Sequence, residues 1–265
     1  MPTPYYLITA GCNLFLNLPG DRNLRGCIAD AHRMQETLVD AFGDPVRYRI
    51  LENPTRAEFV AALTIARDMA VAGDVEIVDV AISTHGMRIG SGSPGNECTA
   101  LVFSDATPSG NGLLPDWQLK EILDSFPRKC LVELWFDTCH SGTITRAAEL
   151  VTSYPRAIPR FIPADVFSAQ PPQRIRAGRG LGTLSRGAQT GQGSNIVAWG
   201  GCLDSEQSME LPDGSGGVFT TSWCHVLNTN EEMSRREMLP LVTAAIAAAG
   251  YLNQHPTLSD QRSNG

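Results

Sequence analysis

Apolar and polar positions alternate along the chain in two distinct rhythms. Short apolar runs, YYLITAG (5–11), VRYRIL (46–51), VEIVDVAIST (75–84), KCLVELWFDTC (129–139) and NIVAWGGC (195–202), read as strands. Between them the period lengthens. Residues 27–43 set Ile28, Ala31, Met34, Leu38 and Phe42 at spacings of three and four and stop at Gly43, as an amphipathic helix does. Thr55 and Glu58 form a capping-box start for a helix carrying Phe59, Leu63 and Met69. PDWQLKEILDSF (115–126) opens on proline and predicts a short helix, and a further helix is expected from Ser141 to about Val151. Stretches 216–227 and 234–250 also read as helices, the second strained by Pro240. Repeated strand–helix alternation predicts an α/β fold with a mostly parallel sheet covered on both faces. No internal repeat is evident.

Residues 88–97 are a glycine- and serine-rich loop, and from 152 to 194 the periodicity dissolves into prolines, glycines and arginines. The second stretch reads as a flexible linker. It divides the chain into a larger half (1–151) and a smaller half (195–265) of one domain.

Composition narrows the function classes. A formal net charge of -7 argues against non-specific nucleic-acid binding, and no apolar run approaches the roughly 18 residues of a membrane span. MPTPYYLITAGCN lacks the basic region and cleavage site of a secretory leader, so a cytoplasmic protein is expected. The seven cysteines are dispersed, without a CxxC pair, and the five histidines show no metal-ligating spacing. No cofactor is expected.

Candidate chemistry lies at two strand ends. His85 follows the 75–84 run, and Cys139 follows Asp137 at the end of 129–139. Adjacent parallel strands would bring them together beyond the carboxyl edge of the sheet, where α/β folds place their sites. A thiol of ordinary pKa about 8.5 is mostly protonated at neutral pH, so a cysteine nucleophile needs such an imidazole, or a helix start, to supply thiolate. A buried, inert cysteine is the commoner use of that residue. A phosphatase-type thiol site is excluded, because Thr145 stands where a Cys-x5-Arg loop needs arginine.

Several stretches resemble the metacaspases and orthocaspases, caspase-like cysteine peptidases of family C14. LRGCIADA (24–31), ISTHG (82–86), ALVFSD (100–105) and DTCHSG (137–142) match family motifs in order, with Thr84 in place of a glycine. AWGGCLDSEQSME (198–210), GGVFTTSW (216–223) and QHPTL (254–258) resemble its small-subunit part. The resemblance implies a caspase-like α/β/α sandwich. It also implies a Cys139 nucleophile, a His85 acid/base, and an oxyanion hole from the backbone N–H groups of Gly86 and Cys139. His140, beside the nucleophile, belongs to the following loop of the family pattern.

The resemblance further implies a specificity (S1) pocket made of Asp30, Asp137, Cys27 and Ser83, and cleavage after arginine or lysine. Two carboxylates in a narrow cleft suit a guanidinium and would repel an aspartate. The alternatives for the acids are a solvated helix position for Asp30 and a capping role for Asp137. Protein or peptide substrates with Arg or Lys at the P1 position, and self-cleavage in the linker after Arg156, Arg160, Arg174, Arg176, Arg179 or Arg186, are the expectations. A regulator would be encoded separately. The competing readings are an aspartate-specific caspase and a catalytically silent scaffold of the same fold. Asp105 and Asp116 are weak calcium candidates, too few for the six to eight oxygens calcium takes. Thr84 either narrows the cleft or alters its loop.

Overall fold

The computed structural model describes residues 3–89, 98–139, 157–167, 195–230 and 233–260. In chain order the elements are β1 (Tyr5–Gly11), α1 (Cys27–Phe42), β2 (Arg47–Glu52), α2 (Arg56–Ala72), β3 (Ile77–Ser83), β4 (Gly86–Ile89), β5 (Cys98–Val102), β6 (Leu113–Pro115), α3 (Asp116–Leu123) and β7 (Leu131–Asp137). They continue with β8 (Ile158–Pro159), β9 (Asn195–Gly200), β10 (Met209–Glu210), α4 (Val218–Thr229), α5 (Arg235–Ala248) and β11 (Thr257–Asp260).

The main sheet has the order β11-β9-β7-β3-β1-β2 and is parallel except for β11. Every residue of β1 is buried, and so are nearly all of β3, β7 and β9. That is why these strands read as unbroken apolar runs: helices cover both of their faces. On one face lie α2, through Phe59, Leu63 and Ala66, and α3, through Leu119 and Leu123. On the other lie α1, α4 and α5, which bring Met34, Leu38, Phe219, Trp223, Val242 and Ile246 against Leu7, Trp135 and Trp199. The result is the expected α/β/α sandwich. At the edge, β2 is largely exposed, with none of its residues buried.

The Thr55–Glu58 capping box forms in both directions, and Ser234 with Glu237 builds a second one at the start of α5. That helix runs through Pro240, whose ring faces solvent. Two small sheets were not foreseen from periodicity. One is the antiparallel β4-β5-β6, and the other pairs β8 with β10. Their strands are two to five residues long, too short to show alternation.

The helix expected after Ser141 lies outside the described residues. Within the stretch read as a featureless linker, residues 157–167 are packed: β8, a bridge from Phe161 to Gly86, and a short helical turn at Ala164–Val166. Ile162 and Phe167 join the core on the α2 side.

Candidate active site

The register of β3 against β7 pairs Ser83 with Asp137, so the residues just beyond, His85 and Cys139, leave the sheet side by side. Two further links fix the junction. The Cys12 N–H bonds the Ser83 carbonyl at 3.0 Å, and Thr84 Oγ1 donates to the Val102 carbonyl at 2.5 Å. Thr84 is fully buried and points into the β5 backbone. Of the two effects open to this substitution, it therefore acts on the loop and its anchorage rather than on the cleft.

His85 is 3% exposed and packs 4.9 Å, centroid to centroid, from the Phe15 ring. Its Nε2 lies 2.7 Å from the Arg22 carbonyl. A carbonyl only accepts, so Nε2 carries the proton and Nδ1 is left as the base of the neutral ring. No hydrogen-bond partner of Nδ1 occurs among the described residues. Burial pushes the imidazole pKa down to about 4, against the pull of the Arg22 carbonyl, so the ring is neutral at neutral pH.

Cys139 is fully buried. Its sulfur receives the Ser208 N–H at 2.9 Å and lies 3.0 Å from the Ser208 carbonyl. The N–H groups of Cys139 and Gly86 converge on a single oxygen, the carbonyl of Arg160, at 3.2 and 2.9 Å. Two donors aimed at one carbonyl oxygen are what stabilises charge developing there during acyl transfer. The close approach needs glycine at 86, because a Cβ at that position would lie 1.7 Å from the Cys139 carbonyl oxygen.

Arg160 belongs to the chain itself. Its N–H bonds the Ser208 carbonyl at 3.0 Å, and the Ile162 N–H bonds the Gly86 carbonyl at 3.1 Å. The segment therefore lies across the cleft as an added strand. Its side chain is fully buried between two acids: Nη2 is 2.6 Å from Asp30 Oδ2, and Nη1 is 2.9 Å from Asp137 Oδ2. Nη1 also donates to Ser83 Oγ at 3.2 Å.

Each acid is held by further donors. Asp30 accepts the Gly217 N–H at 2.9 and 3.0 Å and the Ser83 hydroxyl at 3.0 Å. Asp137 accepts the Thr220 N–H at 3.1 Å, the Thr220 hydroxyl at 2.7 Å and the Ser208 hydroxyl. Both are 1% exposed, so Asp30 is not a solvated helix residue. Burial raises its pKa, and Arg160 opposes that rise. The Arg160 guanidinium is held charged chiefly by Asp137. Gly217 is required here as well, since a Cβ would sit 2.1 Å from Asp137 Oδ2 and 2.4 Å from Arg160 Nη1.

The structure thus gathers His85, Gly86, Cys139, Asp30, Asp137 and Ser83 around Arg160. Cys27, at the start of α1, is fully buried nearby and interacts with Arg160 electrostatically. Arg160, expected in a flexible linker, is instead fully buried. Arg156, Arg174, Arg176, Arg179, Arg186 and His140 lie outside the described residues.

Sequence reading assigned no role to Ser208, Glu210, Gly217 or Thr220, although the motif-like stretches 198–210 and 216–223 contain them. Glu210 is fully buried and accepts the Arg25 and Gly26 N–H groups at 2.8 and 2.9 Å, fixing the entry to the helix that carries Asp30.

The calcium candidates are engaged otherwise. Asp105 accepts the Arg56 N–H at 2.9 Å. Asp116 accepts Thr99 N–H at 3.2 Å and the Cys98 thiol at 3.0 Å. No group of three or more His, Cys, Asp or Glu suited to a metal occurs among the described residues. No helix among those residues is long and apolar enough to cross a membrane.

Known proteins resemble this chain in sequence and in fold. Metacaspase-9 of Arabidopsis thaliana is 26% identical over 315 residues, covering 97% of this chain and 94% of that one. Metacaspase-7 of the same plant is 30% identical over 51% of this chain and 35% of its own length. Among solved structures, the protein GSU0716 of Geobacter sulfurreducens superposes with a TM-score of 0.69 at 20% identity, covering 99% of this chain and 95% of that one. Caspase-1 of Spodoptera frugiperda gives 0.59 at 12%, covering 98% and 88%. These two likenesses bear on the fold alone. The caspase-domain family model matches residues 10–264, nearly the whole chain, and on that ground this protein belongs to the caspase-domain cysteine peptidases, peptidase C14.

Proposed function

We propose that this cysteine peptidase cleaves peptide bonds after arginine or lysine through a Cys139–His85 dyad, and that its first substrate is its own Arg160–Phe161 bond. One observation carries the reading. Arg160 lies in the cleft with its guanidinium between Asp30 and Asp137 and its carbonyl on the N–H groups of Gly86 and Cys139.

The chemistry follows from those positions. His85 Nδ1 takes the Cys139 proton, and the thiolate attacks the carbonyl carbon of the residue in the pocket. Gly86 and Cys139 N–H groups stabilise the tetrahedral oxyanion, each donor being worth about 3 kcal/mol. The protonated imidazole returns its proton to the leaving amine, and water then hydrolyses the thioester. Asp30, Asp137 and Ser83 select the cation, with Cys27 closing the pocket beside them. An aspartate in that pocket would meet two buried carboxylates, which disfavours the aspartate-specific alternative.

Under this reading 1–151 and 195–265 act as large and small halves joined by 152–194, and cleavage after Arg160 frees the cleft. Turnover is independent of calcium, in keeping with the engagement of Asp105 and Asp116. The test is a panel of peptides bearing Arg, Lys or Asp at P1. Wild type and Cys139→Ala would each be assayed with and without calcium, alongside fragment mapping of the purified chain. Turnover after Arg and Lys only, and a Phe161 amino terminus that the Cys139→Ala chain lacks, are expected. Cleavage after Asp, or equal fragmentation of both chains, contradicts the proposal.

A further inference from the structure

A second thiol lies beside the proposed nucleophile. β7 and β9 are adjacent parallel strands with Phe136 opposite Gly200, and the Gly201 N–H bonds the Phe136 carbonyl at 2.8 Å. Cys139 and Cys202 therefore emerge from neighbouring strand ends, where backbones run about 4.8 Å apart. Continuing that register sets Cys202 opposite Thr138, one residue before Cys139, so the two cysteines are diagonal neighbours at the strand ends.

Cys202 is 4% exposed, and its sulfur lies 3.8 Å from the Thr138 carbonyl and 3.6 Å from the Glu206 carbonyl. Its thiol is close enough to Cys139 to interact with it. That contact comes first, and burial second, in raising the Cys202 pKa well above the ordinary thiol value. Cys202 is thus held as the protonated partner of the Cys139 sulfur. The mechanism above does not use it.

We propose that Cys139 and Cys202 are a reversible redox pair that closes to a disulfide when a hydroperoxide enters the cleft, switching the peptidase off. The proposal rests on reading Cys139 as the reactive thiolate. That thiolate attacks the peroxide: the S–O bond forms, the O–O bond breaks, and the alcohol (water, for hydrogen peroxide) leaves with a proton. Cys139 is then a sulfenic acid. The Cys202 sulfur attacks it, the S–S bond forms, the S–O bond breaks, and hydroxide departs as water with the Cys202 proton. Two thiols lose two electrons and the peroxide gains two.

An adjacent thiol makes this second step fast enough to compete with a second peroxide, which would carry Cys139 on to the irreversible sulfinic acid. The oxidised nucleophile has no lone thiolate, so hydrolysis stops until a dithiol reopens the bridge.

The experiment exposes the full-length chain to hydrogen peroxide, blocks free thiols by alkylation, and maps cysteine linkages by non-reducing mass spectrometry. A Cys139–Cys202 bridge is expected in the wild type. Dithiothreitol should then restore at least tenfold of the lost activity, each chain being normalised to its own reduced state. In Cys202→Ser, Cys139 should pass to sulfinate and the loss should be permanent. The proposal is overturned if wild-type Cys139 ends unmodified, over-oxidised, or bridged to another cysteine such as Cys27. Mapping needs no turnover, so the bridge is decided even for a chain that cleaves nothing. A chain that cleaves after arginine but forms no bridge loses only this proposal.

Discussion

Gly86 and Cys139 come so close that a Cβ on the first would fall inside the carbonyl oxygen of the second, at 1.7 Å. The two N–H groups that share the Arg160 carbonyl depend on that approach. Gly86→Ala must push the two loop ends apart and misplace both donors. Turnover of an arginyl peptide should fall by about 100-fold or more, given that one donor alone is worth 10²–10³. Peptide kinetics check this, and an alanine variant within threefold of wild type would rule it out.

Arg160 neutralises two buried carboxylates. In a Cys139→Ala background, to exclude cleavage, Arg160→Ala leaves both unpaired. Removing one partner of a buried ion pair costs about 3–5 kcal/mol, which for a chain of this size lowers the melting temperature by roughly 10 °C. Agmatine, a free guanidinium of the right length, should recover part of the loss in proportion to its concentration. Thermal denaturation with and without agmatine measures both effects.

Under the proposed function Asp30 and Asp137 set specificity more than rate. Asp30→Asn and Asp137→Asn should each reduce kcat/KM for arginyl peptides by roughly 100-fold, mostly through KM, as expected for truncating a buried charge pair. Discrimination between arginine and a neutral residue at P1 should shrink accordingly. Steady-state kinetics on matched peptides provide the readout.

His85 is buried as the neutral ring, with a pKa of about 4 against 6.5 for the free side chain. The unfolded chain therefore binds the proton first as pH falls. The stability contribution is full above pH 6.5 and is lost as pH drops from 6.5 to 4, about 3 kcal/mol in all. Urea denaturation across that range should show the decline, and His85→Phe should flatten it.

Asp79 and Glu133 are cross-strand partners on β3 and β7, both buried, with Arg235 bonded to Glu133. Burial first, and Glu133 second, push the Asp79 pKa well above the carboxylate range. Stability is thus full below the unfolded value near 3.9 and declines as pH rises toward the folded one. Asp79→Asn removes that decline. It should leave the melting temperature at pH 7.5 unchanged or raise it by a few degrees, which calorimetry checks.

The central strands were legible because a parallel sheet buried on both faces writes itself as continuous apolar residues. YYLITAG and LVELWFD carry that signature, and His85 and Cys139 stood out because they follow such strands, whereas Asp30 was singled out only through the resemblance of LRGCIADA to a family motif. Arg160 was one of six linker arginines named as cleavage candidates, and its place in the cleft was hidden for the opposite reason. It sits in a stretch without periodicity, and its meaning comes from contacts with residues 130 and 77 positions away. Ser208 and Glu210 were opaque for the same cause: their partners, Cys139 and the Arg25–Gly26 backbone, are tertiary.

The β8–β10 pairing keeps the Arg160 segment tied to the chain whose cleft it lies across. A short tether presents its ligand at an effective concentration on the order of millimolar. A free peptide at micromolar levels is then outcompeted about a thousandfold, whatever its own fit to Asp30 and Asp137. Freshly folded chains should therefore process other substrates only after a lag. The length of that lag should not depend on enzyme concentration, because the proposed first cut is unimolecular.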